Sequence, residues 1–324
     1  MLRTRLTERL GIAHPILSAP MAFAAGGKLA AAVSSAGGLG LIGGGYGDPD
    51  WMEREFAAAG NARVGCGFIG WSIAGRPEAL ERALAHAPVA VMVSFADPAP
   101  FAQAVRQAGS VLICQVQTLD HARAALDAGA DIVVAQGTEA GGHGGQRATF
   151  TLVSEVADLL ASRSPDTVLV AAGGVADGRG LAAALMLGAD GVLVGSRLWA
   201  SQEAAVHADH HRAAIAANGD GTLRQRATDI ARLLAWPAEF TARILQNAFT
   251  ERWQGREEVL RAQAETLHPA YMAAVAAGDP DNAGVWVGEA AGMIHAILPA
   301  GEIIDGMVAQ AAALLAGRGP GLVK

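Results

Sequence analysis

One histidine stands where it can do proton chemistry. Residues 131–143 read Asp-Ile-Val-Val-Ala-Gln-Gly-Thr-Glu-Ala-Gly-Gly-His, a β-branched run passing into a glycine-rich loop that presents His143. The run Ile132-Val133-Val134 suits a parallel strand covered on both faces. Gly137, Gly141 and Gly142 remove side chains where the backbone must turn or approach a ligand closely. The imidazole is the one side chain in the stretch that both donates and accepts protons near neutral pH. Two more strand-to-glycine junctions follow. Val168–Ala172 runs into Gly173-Gly174, and Gly191–Val194 into Gly195-Ser196, each ahead of a helical stretch. Free N–H groups at adjacent loop tips, with the positive end of a helix behind them, suit a phosphate.

These loops need a scaffold. Short β runs recur near 15–19, 39–42, 63–68, 89–94, 110–116, 131–136, 168–172 and 190–194, alternating with alanine-rich stretches such as 27–36, 77–86, 98–108 and 118–128. Several of those stretches end in glycine directly before the next strand, as in Ala128-Gly129-Ala130-Asp131 and Leu187-Gly188-Ala189-Asp190. Eight βα units with right-handed crossovers close into a (β/α)₈ TIM barrel, an α/β fold that commonly binds phosphate after its last two strands. A less regular connection at 43–62 holds a helix around Trp51–Ala59. From Gln202 to about Gly278 the pattern is helical and without strands. This predicts a small helical lid over residues 209–283, with the barrel built from 1–208 and 284–324. Residues 285–316 read as an apolar helix pair split by Pro299.

Composition narrows the function. A hydrophobic content of 52% with 17% charge fits a soluble protein with a large core, and a net charge of −7 without a lysine-rich run argues against nucleic acid. No stretch of ~20 uninterrupted apolar residues predicts a membrane span, and the N-terminus lacks a signal-peptide core. Cys66 and Cys114 read as reduced core thiols, so the expected compartment is the cytoplasm. His207, His210 and His211 invite a metal, but neighbouring helical positions point about 100° apart, and no metal is expected.

The stretch Pro15–Met21, the loop Gly137–Gly145, Ala172-Gly173-Gly174 and Gly195-Ser196-Arg197 resemble the nitronate monooxygenases, formerly called 2-nitropropane dioxygenases. So do Trp236-Pro237, Asn247–Trp253 and Val285–Ala290, which extend the likeness through the lid. The resemblance implies FMN at the C-terminal ends of the barrel strands. Ala19, Pro20 and Met21 would run along the isoalloxazine edge. Gln115 and Gln136 would hydrogen-bond the flavin or its ribityl chain, and Gly141 and Gly142 would let the loop approach it. Gly173, Gly174, Gly195 and Ser196 would hold the phosphate, and His143 would be the catalytic residue. Gly67 departs from the pattern, where family members often carry an asparagine near the flavin.

The implied reaction takes a small-molecule nitronate and O₂ to a carbonyl compound and nitrite, with the redox chemistry supplied by the cofactor. His143 would hold the substrate's negative charge and act as base on neutral nitroalkanes. Phe23, Trp71, Phe95 and Trp286 would wall the pocket, and Glu139 would steady the loop. Neither nucleic acid nor membrane is an expected partner, and a homodimer is the assembly to test. The nearest alternative is an NAD(P)H-dependent flavin reductase acting on quinones or enoyl thioesters. An aldolase or isomerase on the same barrel would want a strand-end lysine, and the only lysines, Lys28 and Lys324, do not occupy such a place. A flavin-binding sensory protein without turnover is the third alternative.

Overall fold

The computed structural model describes residues 2–322; Lys324 lies outside them. Eight parallel strands form the barrel: β1 (Ile16–Ser18), β2 (Leu41–Gly45), β3 (Gly65–Ile69), β4 (Ala90–Ser94), β5 (Val111–Val116), β6 (Ile132–Gln136), β8 (Val168–Ala172) and β9 (Gly191–Val194). A short β7 (Gly142–Gly144) falls between the sixth and seventh barrel strands. Each barrel strand pairs with its neighbour in the order β1-β9-β8-β6-β5-β4-β3-β2. The ring closes where Leu17 bridges Leu39, and there the Ser18 hydroxyl accepts from the Leu41 N–H at 2.9 Å. All eight predicted strands are present, as is the helix after β2 at Pro49–Ala59.

Period-two alternation divides the core into two layers. Leu17, Leu41, Met92, Ile113, Ile132, Val134, Val170 and Leu193 point into the barrel. Their strand neighbours Cys66, Val91, Val93, Val133 and Val192 point outward against the helices. A short N-terminal helix, Arg5–Leu10, plugs the barrel floor with Leu6 and Leu10, both buried. The glycine at the start of β9 accommodates this plug, because a side chain on Gly191 would collide with Leu6 and the Pro15 carbonyl.

The chain after Trp199 differs from its predicted all-helical form in two ways. Strands β10 (Thr222–Gln225) and β11 (Thr241–Leu245) pair antiparallel, and β11 pairs antiparallel with β7. The resulting three-stranded sheet is therefore built from the lid and from the loop after β6. Helices Ala208–Ala216, Ala227–Ala231, Ala248–Trp253 and Glu257–Ala277 surround it. The second difference concerns the expected C-terminal helix pair. Residues 285–299 hold only a 3₁₀ turn at Glu289–Met293, and one helix, Ala300–Leu322, follows. Gly288 and Gly292, with Pro299 beyond, interrupt the apolar pattern that suggested a first helix. Helix Ala300–Leu322 contains a stretch, Ala300–Gly317, long and apolar enough to cross a membrane. Its residues Ala300, Ile303, Ile304, Met307 and Ala311 instead complete the outer layer of the barrel core.

Candidate active site

His143 sits in the middle of β7, opposite Ala242 of β11. Both sides of its backbone are fixed. The lid strand holds one, and from the barrel the Gln136 side-chain amide donates to the His143 carbonyl at 3.0 Å. The Gln136 carbonyl oxygen in turn accepts from Gln117 at 2.9 Å and from Gln115 at 3.3 Å. This buried amide chain ties the ends of β5 and β6 to the loop that carries the histidine.

The imidazole is clamped between a carboxylate and an indole. Its Nε2 lies 2.9 and 3.0 Å from the two oxygens of Asp229. Its ring stacks on Trp236, with centroids 3.4 Å apart and planes 6° from parallel. Asp229 is 2% exposed and comes from helix Ala227–Ala231, anchored at its start by Gln225, which accepts from the Thr228 N–H at 2.9 Å. Trp236 is oriented in its turn by donating to the Tyr46 hydroxyl at 3.0 Å.

Electrostatics decide which nitrogen works. Burial pushes the His143 pKa below its usual 6.5, and the hydrogen bond and negative charge of Asp229 oppose that without reversing it. The ring is therefore neutral at pH 7. Asp229 can only accept, so the proton lies on Nε2. Nδ1 has no protein partner and is not enclosed, so its lone pair faces the cavity. Arg232 also lines this cavity, its guanidinium 5.7 Å from the centroids of both the Tyr46 and Trp286 rings. It adds a positive charge to the cavity wall.

The cavity encloses about 500 Å³ at the C-terminal ends of the barrel strands. Ala19, Pro20, Met21, Gln115, Gln136, Gly141, Gly142, Gly173, Gly174, Gly195 and Ser196 line it together with His143. Gly173 and Gly174 have φ of +102° and +72°, a left-handed pair that turns the chain out of β8 with its backbone bare. The Ser196 hydroxyl accepts from the Gly288 N–H at 2.9 Å and retains its own proton to donate. Gln115 keeps its side-chain oxygen free of protein donors. Bare turns, a hydroxyl with a proton to donate and a free amide oxygen beside an apolar floor of Met92 and Leu193 fit a flavin and its phosphate.

Several residues have neighbours that the sequence did not suggest. Gly141 is required by protein packing, because a Cβ there would stand 2.6 Å from the Gly288 nitrogen. Gly142, at φ +73° with open space where a Cβ would be, is the glycine that leaves room on the cavity side. Glu139 accepts from the backbone and hydroxyl of Thr149, at 3.0 and 2.7 Å, and so caps the following helix. Gly67 lines the cavity, and a side chain on it would run into the Pro20 ring. Phe23, Phe95 and Trp286 are cavity walls, whereas Trp71 is not. Trp71 packs edge-on behind Tyr46 and Trp236, at 6.0 and 5.3 Å between centroids. Sequence reasoning missed Asp229 and Arg232 altogether. The only local signal was a carboxylate set among Ala227, Ile230 and Ala231, and its partner lies 86 residues away.

A family model described as nitronate monooxygenase matches residues 3–63 and 73–310. The nitronate monooxygenase of Neurospora crassa is 32% identical, over 89% of this chain and 86% of its own. That of Metarhizium robertsii is also 32% identical, over 93% and 91%. Among solved structures, FabK from Thermotoga maritima superposes with a TM-score of 0.86 at 32% identity, covering 100% of both chains. Nitroalkane oxidase from Streptomyces ansochromogenes gives 0.79 at 27% identity, over 95% of this chain and 98% of that one. Barrel, cavity and relatives together define a flavin-dependent oxidoreductase. The chain belongs to the nitronate monooxygenase family.

Proposed function

We propose that the enzyme holds FMN in this cavity and oxidises alkyl nitronates with O₂ to carbonyl compounds and nitrite. Two nitronates and one O₂ balance to two carbonyls and two nitrites. The observation that carries the reading is the neutral His143, its Nε2 locked to Asp229 and its Nδ1 open to the cavity that the cation of Arg232 also lines. An anionic nitronate finds there a positive charge and aromatic walls that exclude water. With a neutral nitroalkane, the Nδ1 lone pair is the base that takes the proton from the carbon bearing the nitro group. Flavin, when bound, supplies the electron acceptor. Gly173, Gly174, Gly195 and Ser196 would hold the phosphate. Ala19, Pro20, Met21, Gly141 and Gly142 would border the ring, and Gln115 would reach it with its free oxygen. Gln136 has another task, since its amide supports the His143 backbone.

Anaerobic addition of ethylnitronate to the flavin-loaded enzyme tests the reading. Reduction of the flavin spectrum, and nitrite release once O₂ is admitted, are expected. An unchanged spectrum overturns it. One observation favours a second reading, the close superposition on FabK, an enoyl reductase, over the whole chain. In that case NAD(P)H would reduce the flavin where nitronate does not, and a quinone or enoyl thioester would reoxidise it.

A further inference from the structure

The cavity does not end at His143. Val206, Tyr271, Met272, Val275 and Phe23 line the same cavity. Phe23, Met272 and Val275 belong to the few large apolar side chains left exposed among the described residues. Tyr271 and Val275, spaced four apart, share one face of helix Glu257–Ala277, with Met272 beside them. The exposed positions Glu258, Arg261 and Glu265 of the same helix are charged, with Val259 an exposed apolar residue among them. The helix thus turns apolar where it overlooks the cavity. Phe23 reaches the rim from the loop after β1, at a φ of +60° that a bulky residue adopts only at a cost. Three chain segments therefore present apolar surface to one passage leading to the catalytic histidine.

The polar groups facing this passage add little charge. His207 and His210 line it. Burial pushes the His210 pKa below its ordinary value, and its Nε2 is enclosed without a partner. Arg232 is the cation, and it lies against Trp286 and Tyr46. A ligand with its anion at Arg232 and an uncharged aliphatic portion against Phe23, Met272 and Val275 matches these groups.

We propose that this apolar side of the cavity is a subsite for the aliphatic tail of the substrate, so that the enzyme prefers longer alkyl nitronates over shorter ones. The assignment rests on the nitronate reading given above. Each methylene buried along such a wall contributes about a fourfold gain in kcat/KM. The test is a series of primary nitronates from nitroethane to 1-nitrooctane, assayed with the flavin-loaded enzyme and with Val275→Asp, an exposed helix position. A steep rise with chain length in the parent and a flattened slope in the variant are expected. A flat or falling parent series overturns the proposal, and so does a slope that Val275→Asp leaves unchanged. A parallel titration of the flavin absorbance with primary alkanols of the same lengths reads the subsite without turnover. If no nitronate reacts, the nitronate reading has failed, and the subsite stands or falls on whether alkanol affinity climbs with length and loses that climb in Val275→Asp.

Discussion

Replacing Asp229 with asparagine removes one charge from a buried contact while keeping its shape. In the parent both carboxylate oxygens lie within 3.0 Å of His143 Nε2, and a carboxylate only accepts, so the Nε2–H tautomer is imposed. The asparagine amide offers a donor as well as an acceptor. The tautomer protonated on Nδ1 then becomes accessible, and it turns a hydrogen toward the substrate instead of a lone pair. Loss of a positioned base costs about 10²–10⁴ in rate. That loss should fall on neutral nitroethane, which must give up a proton. Preformed ethylnitronate has no proton to give up, and a hydrogen on Nδ1 would face its negative charge, so its kcat/KM should hold or rise. The pH profile adds an independent readout. Burial already places the His143 pKa below 6.5, with Asp229 pushing it up and Arg232 and Arg224 pushing it down. Taking away the upward push moves the acid limb of the nitroethane profile to lower pH. Stability follows the same sign. A histidine kept neutral in the folded state contributes fully above 6.5 and loses that contribution as pH falls from there toward its folded value, so the variant should be the more acid-sensitive of the two. Steady-state kinetics on both substrates from pH 5 to 9, with thermal melts at each pH, provide the check. Equal losses on nitroethane and ethylnitronate, or an acid limb that stays in place, would refute the assigned tautomer.

Three other outcomes are expected. Gly67→Ala sets a methyl against the Pro20 ring, and overpacking of this kind costs about 1–3 kcal/mol; melting temperature and flavin content should both fall. Glu139→Gln weakens the cap on the helix that begins at Thr149, at a cost of about 0.5–2 kcal/mol read by urea denaturation, while His143 keeps its contacts. Cys66 and Cys114 are buried, and burial pushes both thiols up to about 12, so neither should react with a thiol reagent at pH 8 until the protein unfolds. Prompt labelling of the native enzyme would contradict that packing.

The barrel was legible because each of its strands is a local feature. Ile132-Val133-Val134 and Val168-Leu169-Val170 are runs buried on both faces, and such strands need no partner to be recognised. His143 was legible for a similar reason, since the glycines beside it mark an unusual backbone. The lid strands were not. Thr222–Gln225 and Thr241–Leu245 are short, each carries an arginine, and β11 is completed by a segment about a hundred residues earlier in the chain, a pairing no local pattern encodes. Asp229 was hidden by the same topology. Its carboxylate has meaning only opposite His143, and only the three-stranded sheet and the short helix beside it bring the two together. The first helix of the expected C-terminal pair is absent because its apolar residues carry no helical period and Gly288, Gly292 and Pro299 break the run.

β7 has a consequence for how such enzymes can be altered. The segment bearing His143 is an edge strand of the three-stranded sheet, held by Thr241–Arg243, while the residues before and after it belong to the barrel. Reactive group and cover are thus one mechanical part. Exchanging the cover for that of a relative, a natural way to engineer a new specificity, would also replace the rail that sets the height of His143 and the carboxylate that selects its tautomer. Chimeras joined in front of Thr222 should retain the barrel and lose turnover unless the incoming piece brings its own equivalents of Asp229 and of strand Thr241–Leu245. Single substitutions along the inner wall leave that rail untouched and are the safer route to a changed substrate range.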